Sequence, residues 1–155
     1  VEYFNSEQEI INAFNMTIPG VPTIYYGDEF GSPGGNDPDN RRLMKFSGLN
    51  SNEISTRDVS RRIINIRKNN LALIYGDFKP LLVEQDVYVF SRNYFNNGVI
   101  IVFNKSSKSK EVVIHLSDDL AGIDYLASFG SKVQVENKTL LVQVPDNSFE
   151  ILIAK

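Results

Sequence analysis

Apolar residues recur at helical spacing twice in the first half of the chain and at a period of two through the second. Ser6-Glu7-Gln8-Glu9 reads as a capping box ahead of Ile10, Ile11, Ala13 and Phe14, which predicts a short helix over 6–15. Thr17-Ile18-Pro19-Gly20-Val21-Pro22 ends it, because each proline lacks a backbone donor and pushes its predecessor toward extended geometry. Residues 23–26, Thr-Ile-Tyr-Tyr, show no polar alternation, the pattern of a short parallel strand buried on both faces. The polar stretch that follows runs to about residue 52, longer than ordinary connections and therefore functional or poorly ordered. Ser55-Thr56-Arg57-Asp58 is a weaker cap signal for a helix reaching about Asn70. In that helix Val59, Ile63, Ile66 and Asn70 share one face, while Arg61, Arg62, Arg67 and Lys68 are expected in solvent, mostly in the last turns where cations suit the helix dipole.

After residue 76 the alternation is that of strands. Runs at 87–92 and 98–103 flank Asn96-Asn97-Gly98, and Asn-Gly is predicted to supply the positive φ angles of a tight hairpin turn. Further strands are predicted at 111–116, 123–129, 132–136, 139–144 and 149–154, with turn residues Asp118-Asp119, Gly130, Asn137-Lys138 and Pro145-Asp146-Asn147 between them. Short strands at this spacing imply an antiparallel sandwich or barrel. The first half, read as strand, long loop and helix, is a βα unit.

A hydrophobic fraction of 42% with 23% charged residues is ordinary for a globular chain with a core. The net charge of −3 gives no electrostatic reason to expect nucleic acid or an anionic membrane as partner, and leaves neutral polar ligands such as sugars compatible. Cysteine is absent and His115 is the single histidine, so a thiolate site, a histidine triad or a zinc cluster would need unusual help. No apolar run approaches the ~20 residues of a membrane helix, and Val1-Glu2-Tyr3-Phe4 lacks the basic region and apolar core of a signal peptide. A chain that begins in mid-domain would carry no export signal there in any case.

Tyr25-Tyr26-Gly27-Asp28-Glu29 followed by Gly34-Gly35-Asn36-Asp37-Pro38-Asp39-Asn40-Arg41 resembles the last strand and last loop of the catalytic barrel in the α-amylase family of glycoside hydrolases, family 13. The likeness is closest to the cyclomaltodextrinase, neopullulanase and cyclodextrin glucanotransferase branches. It implies a mainly β fold with some α. Residues 1–75 would be the incomplete end of a (β/α)8 barrel with its last βα unit, and residues 76–155 an all-β domain, an antiparallel Greek-key β-sandwich of about eight strands. A chain of 155 residues is well short of the ~250 of a complete barrel, and the family's catalytic carboxylates belong to earlier strands. The resemblance thus implies a parent enzyme that processes α-linked glucans with retention, and a chain that is inactive by itself. A noncatalytic carbohydrate-binding or structural β-sandwich module is the alternative, and within the enzyme class a glucosyltransferase.

By the same resemblance Asp37 and Arg41, in an Asp-Pro-x-x-Arg segment, are substrate-binding residues; the plainer reading of the pair is an ion pair bracing a long loop. Tyr26, Gly27, Asp28 and Glu29 are a structural signature and not the catalytic carboxyl pair, which retention requires about 5 Å apart across the bond. No catalytic residue, metal ligand or cofactor is assigned to the chain. Calcium is admitted only for the parent enzyme, since Asp37-x-Asp39 lacks the glycine and closing glutamate of an EF-hand and Arg41 opposes the charge. Tyr25 and Tyr26 are expected to fill a barrel core, His115 to lie at the surface or half-buried, and Tyr88, Phe90, Tyr94, Phe95 and Phe103 to pack more than to form a sugar platform. The expected partner is an α-glucan or maltooligosaccharide, with neither nucleic acid nor membrane. An unpaired strand at 23–26 predicts self-association through its edge, or disorder of residues 1–50. Location is left open, with periplasmic or secreted ahead of cytoplasmic.

Overall fold

In the computed structural model, which describes residues 2–155 with side chains from Ser6 onward, the chain forms three stacked layers. Helices α1 (Glu2–Thr17), α2 (Ser51–Asn69) and α3 (Leu71–Tyr75) form the first. The second is a five-stranded sheet of β1 (Lys79–Val83), β2 (Val87–Tyr94), β3 (Asn97–Asn104), β8 (Ser148–Ala154) and β5 (Tyr125–Ala127), side by side in that order. A three-stranded sheet of β4 (Lys110–His115), β7 (Thr139–Val144) and β6 (Lys132–Glu136) is the third. All neighbouring strands are antiparallel, and the non-consecutive neighbours β3/β8 and β4/β7 give the Greek-key crossovers of the expected sandwich.

The layering explains the apolar run of β3. Ile100 and Val102 face the core between the two sheets, with Val89, Val112, Leu140, Val142 and Leu152. Val99, Ile101 and Phe103 face the helices, where Phe90, Phe149, Ile151, Ala13, Met16, Ile63 and Leu73 close a second core. A central strand covered on both sides has no polar face to alternate with. The edge strands alternate because one side meets solvent: β4 alternates buried with exposed or half-exposed positions, and β6 alternates half-buried with exposed ones.

Several local expectations change. Residues 23–26 form no strand: no other strand of the described chain lies beside them to complete a ladder, and Thr23 is instead held by its carbonyl, which accepts from Asn15 Nδ2 at 2.6 Å. Residues 6–50 are structured around α1 and a run of turns, with Ser6 inside the helix and not at its cap. Helix α2 starts earlier than Ser55. Asn50 Oδ1 accepts from the backbone of Asn52 and Glu53, and Glu53 Oε2 accepts from Asn50 N at 2.7 Å, a complete capping box. Thr56 then turns inward and donates to Glu9 Oε1. Strand β1 escapes notice in the sequence because of Pro80, which an edge strand tolerates and which sits at a register irregularity. Strand β5 keeps only three of the seven residues expected.

Two further corrections concern position and charge. The β2–β3 turn is Phe95-Asn96, since Tyr94 pairs with Asn97 and Gly98 already faces Asn93. Burial of the β3 side chains on both faces fixes that register, and Asn97 is taken up by α3, its Oδ1 accepting from Ala72 N at 2.8 Å. Arg67 is buried and not in solvent. Its guanidinium donates to Met16 O in the last turn of α1 and to Gly20 O just beyond that helix, both at 2.7 Å, at the negative end of the helix dipole.

Candidate functional site

The segment after α1 is anchored through one buried amide. Asn12 Nδ2 lies 3.0 Å from both Asp28 O and Ser60 Oγ, so α1, α2 and the short 3₁₀ turn Asp28–Phe30 meet at a single side chain. Gly27 opens that turn with φ 97°, a conformation that disfavours side chains, and a Cβ there would come within 2.9 Å of Ser32 Cβ. Glu29 Oε2 folds back to accept from Gly27 N at 2.8 Å. Phe30 inserts beneath. Asp28 is partly buried, and desolvation first, with Glu29 beside it, pushes its carboxyl above the usual range. Tyr26, Gly27, Asp28 and Glu29 therefore sit in a braced turn, with one of the two carboxylates consumed in holding it.

Beyond Gly31 the chain rises as an exposed loop stiffened by two arginine–carboxylate forks. Arg41 donates from Nε to Asp37 Oδ1 at 3.2 Å and from Nη2 to Asp37 Oδ2 at 2.6 Å. Arg42 donates from both Nε and Nη2 to Asp39 Oδ1, and Asp39 Oδ2 accepts from Gly35 N at 3.0 Å. The Arg42 guanidinium, then the Gly35 N–H, hold the Asp39 carboxyl below its ordinary value. The sequence motif drew attention to Asp37 and Arg41, and the structure brings them together. It missed Arg42, although Asp39-Asn40-Arg41-Arg42 carries the three-residue spacing that lets a second fork form on one turn.

Both members of the Asp37–Arg41 pair remain accessible, with side chains 56% and 73% exposed. Each Asp37 oxygen keeps acceptor capacity and Arg41 keeps unused donors, so the pair can brace the loop and bind a polyol at once. Tyr25 and Tyr26 are not in a core. They are exposed, their ring centroids 4.5 Å apart, and they line a cleft of about 200 Å³ with Gly27, Pro33, Asn40 and Arg42. Among the described residues no strand flanks them to cover their rings. Aromatic faces beside a charged fork suit a ligand with both C–H faces and hydroxyl groups.

His115 is exposed, on the solvent face of β4. Phe90 and Phe103 are buried and Tyr88 packs against the helices, whereas Phe95 stands out from the hairpin. Among the described residues no group of three His, Cys, Asp or Glu is placed to hold a metal ion. Asp37 and Asp39 each already face an arginine.

A family model described as the α-amylase C-terminal domain matches residues 76–152. An amylopullulanase of Thermoanaerobacter thermohydrosulfuricus is 34% identical over 154 residues, covering 90% of this chain and 10% of that protein. A cyclomaltodextrinase of Thermoanaerobacter pseudethanolicus is 38% identical over 102 residues, covering 66% of this chain and 18% of its own length. Among solved structures, an α-amylase from Geobacillus thermoleovorans complexed with acarbose superposes with a TM-score of 0.80 at 28% identity, over 97% of this chain and 33% of that one. The chain thus spans between a tenth and a fifth of the length of these two curated relatives.

Proposed function

The chain belongs to the α-amylase family of glycoside hydrolases, and from that premise we propose that it is the carboxyl-terminal part of an enzyme that cleaves or transfers α-linked glucans. Residues 1–75 are the end of its barrel and residues 76–155 its β domain. The nucleophile and acid lie in other polypeptide, and Asp37 and Arg41 touch glucose units of the bound substrate. The observation that carries this reading is the exposed, bidentate Asp37–Arg41 pair on a loop held at its root by the Gly27 turn.

A second observation supports it. Val21, Leu43 and Phe46, on either side of that loop in the sequence, are 93%, 96% and 89% exposed, apolar surface fit to pack against further barrel. In its absence the same side chains, and not a strand edge at 23–26, are where self-association would run. Hydrolysis and transfer are both compatible with this loop.

The test is an NMR titration of the labelled chain with maltotriose, alongside a reducing-sugar assay. Shifts centred on residues 34–42 that vanish in Asp37→Ala and Arg41→Ala, with no turnover by the chain alone, are expected. Turnover removed by Asp28→Asn or Glu29→Gln would overturn the assignment.

A further inference from the structure

The β2–β3 hairpin ends in a residue that neither its backbone nor water favours. Phe95 occupies the first position of the two-residue turn with φ 48°, a left-handed conformation that suits glycine and is strained for a bulky side chain. Its ring is also 90% exposed. A glycine or asparagine would relieve both costs. The hairpin needs neither the ring's bulk nor its burial to form, which leaves the ring open to a partner outside the described chain.

The ring does not stand alone. Tyr94, half-buried against the helix-facing core as expected, meets it edge to face with centroids 4.7 Å apart, and Tyr75, 66% exposed at the end of α3, lies 5.7 Å from Tyr94. Polar groups alternate with these rings. The neighbouring amides are engaged inward, Asn93 with Asp77 and Asn97 with Ala72 N, whereas the exposed Asn96 amide and the hydroxyls of Tyr75 and Tyr94 make no hydrogen bond within the described chain. Three rings with free neutral donors and acceptors at their rims match a pyranose, whose C–H face stacks on an aromatic ring while its hydroxyls reach the rim.

We propose that Tyr75, Tyr94 and Phe95 form a docking ridge for an α-glucan chain, with Asn96 meeting the sugar hydroxyls, on the β domain and distinct from the Asp37–Arg41 loop. The choice of α-linked glucose rests on the function proposed above. The ridge itself rests on the hairpin.

The labelled chain is titrated with maltoheptaose, with cellopentaose as the β-linked comparison, and each residue's shift is followed. Shifts at 75 and 94–97 are expected, at least tenfold weaker affinity there in Phe95→Gly and Tyr75→Ala, and no change at the ridge in Asp37→Ala. Phe95→Gly should at the same time raise the melting temperature, so lost binding cannot be lost folding. Shifts confined to 34–42, no shifts at the ridge, or unaltered ridge affinity in Phe95→Gly would overturn the ridge while leaving the loop assignment standing. Ridge shifts without loop shifts would do the reverse. Preference of the ridge for cellopentaose would overturn the α-glucan, and a concentration-dependent dimer abolished by Phe95→Gly would show a second copy of the chain to be the occupant instead.

Discussion

Arg92 Nη1 on β2 donates to the carbonyl of Thr17, the last residue of α1, at 2.7 Å across a separation of 75 residues. The same guanidinium donates to Asp77 O and Gly76 O, and it is 1% exposed. Arg67 closes on the adjacent carbonyl of Met16, so two buried cations finish one helix. Burial, and then Arg67 nearby, hold the Arg92 guanidinium below its usual range. Three carbonyls and the helix dipole meet its charge directly, with the Asp77 carboxylate close enough to support it.

Arg92→Lys is accordingly expected to be a destabilising change despite keeping the charge. A single ammonium cannot reproduce a planar fork reaching three carbonyls, and at least one acceptor is left buried without a partner. A loss of about 2–3 kcal/mol in urea denaturation is predicted. Amides in the last turn of α1 should exchange faster than those in α2.

Glu150 is the opposite case, a fully buried carboxylate with three backbone donors. It accepts from Phe129 N at 2.7 Å, Ser131 N at 2.9 Å and Ile151 N at 2.9 Å, fastening the 129–131 crossing to β8. Glu150→Gln keeps the volume but turns an NH₂ group toward one of those N–H donors. A loss of about 2 kcal/mol is expected, with accelerated exchange at Phe129 and Ser131.

Gly27→Ala tests the turn beneath the candidate loop. The left-handed φ and the approach to Ser32 both oppose a side chain, so a loss of about 1–3 kcal/mol is predicted. Exchange should rise at residues 27–32 before it does in the sandwich.

The sandwich was legible because its signal is local. Alternation in 111–116 and 139–144 returned as β4 and β7 almost residue for residue. What failed depended on partners distant in sequence. Arg67 reads as a solvent cation until the carbonyls of α1 are placed against it, and 23–26 reads as a strand until one asks what it would pair with. Asn-Gly lost the hairpin turn because burial on both faces of β3 outweighs turn preference. At the site, the Asp37–Arg41 spacing was readable and the exposure of Tyr25 and Tyr26 was not. A spacing is written in the chain, while exposure is decided by what lies alongside.

The Asp37–Arg41 fork should matter more to a ligand than to the fold. Exposed pairs contribute about 0–1 kcal/mol, so Asp37→Asn and Arg41→Gln singly and together should leave the urea midpoint nearly unchanged. Affinity for maltotriose should fall about tenfold or more, equivalent to about 1.4 kcal/mol. A double-mutant cycle on affinity should show coupling between the two, since each positions the other.

Glu9 makes stability depend on pH in a direction opposite to most carboxylates. Desolvation between α1 and α2 raises its pKa, and the hydrogen bond from Thr56 Oγ1 offsets this only in part. With the folded value above the unfolded one, the native state favours the protonated form. The stability it offers is then present below its ordinary, unfolded value of 4.5 and is lost as pH rises through the folded value. Glu53 has the contrary sign, held low by Lys45 first and then by Asn50 N–H, so its contribution is present above the same reference and lost as pH falls. Glu9→Gln should therefore have the higher urea midpoint at pH 7 and converge with the unaltered chain toward pH 4. Glu53→Gln should be the less stable at pH 7 and converge with it only at lower pH. Parallel curves for Glu9→Gln and the unaltered chain across pH 3–7 would show that its carboxyl is no more desolvated folded than unfolded.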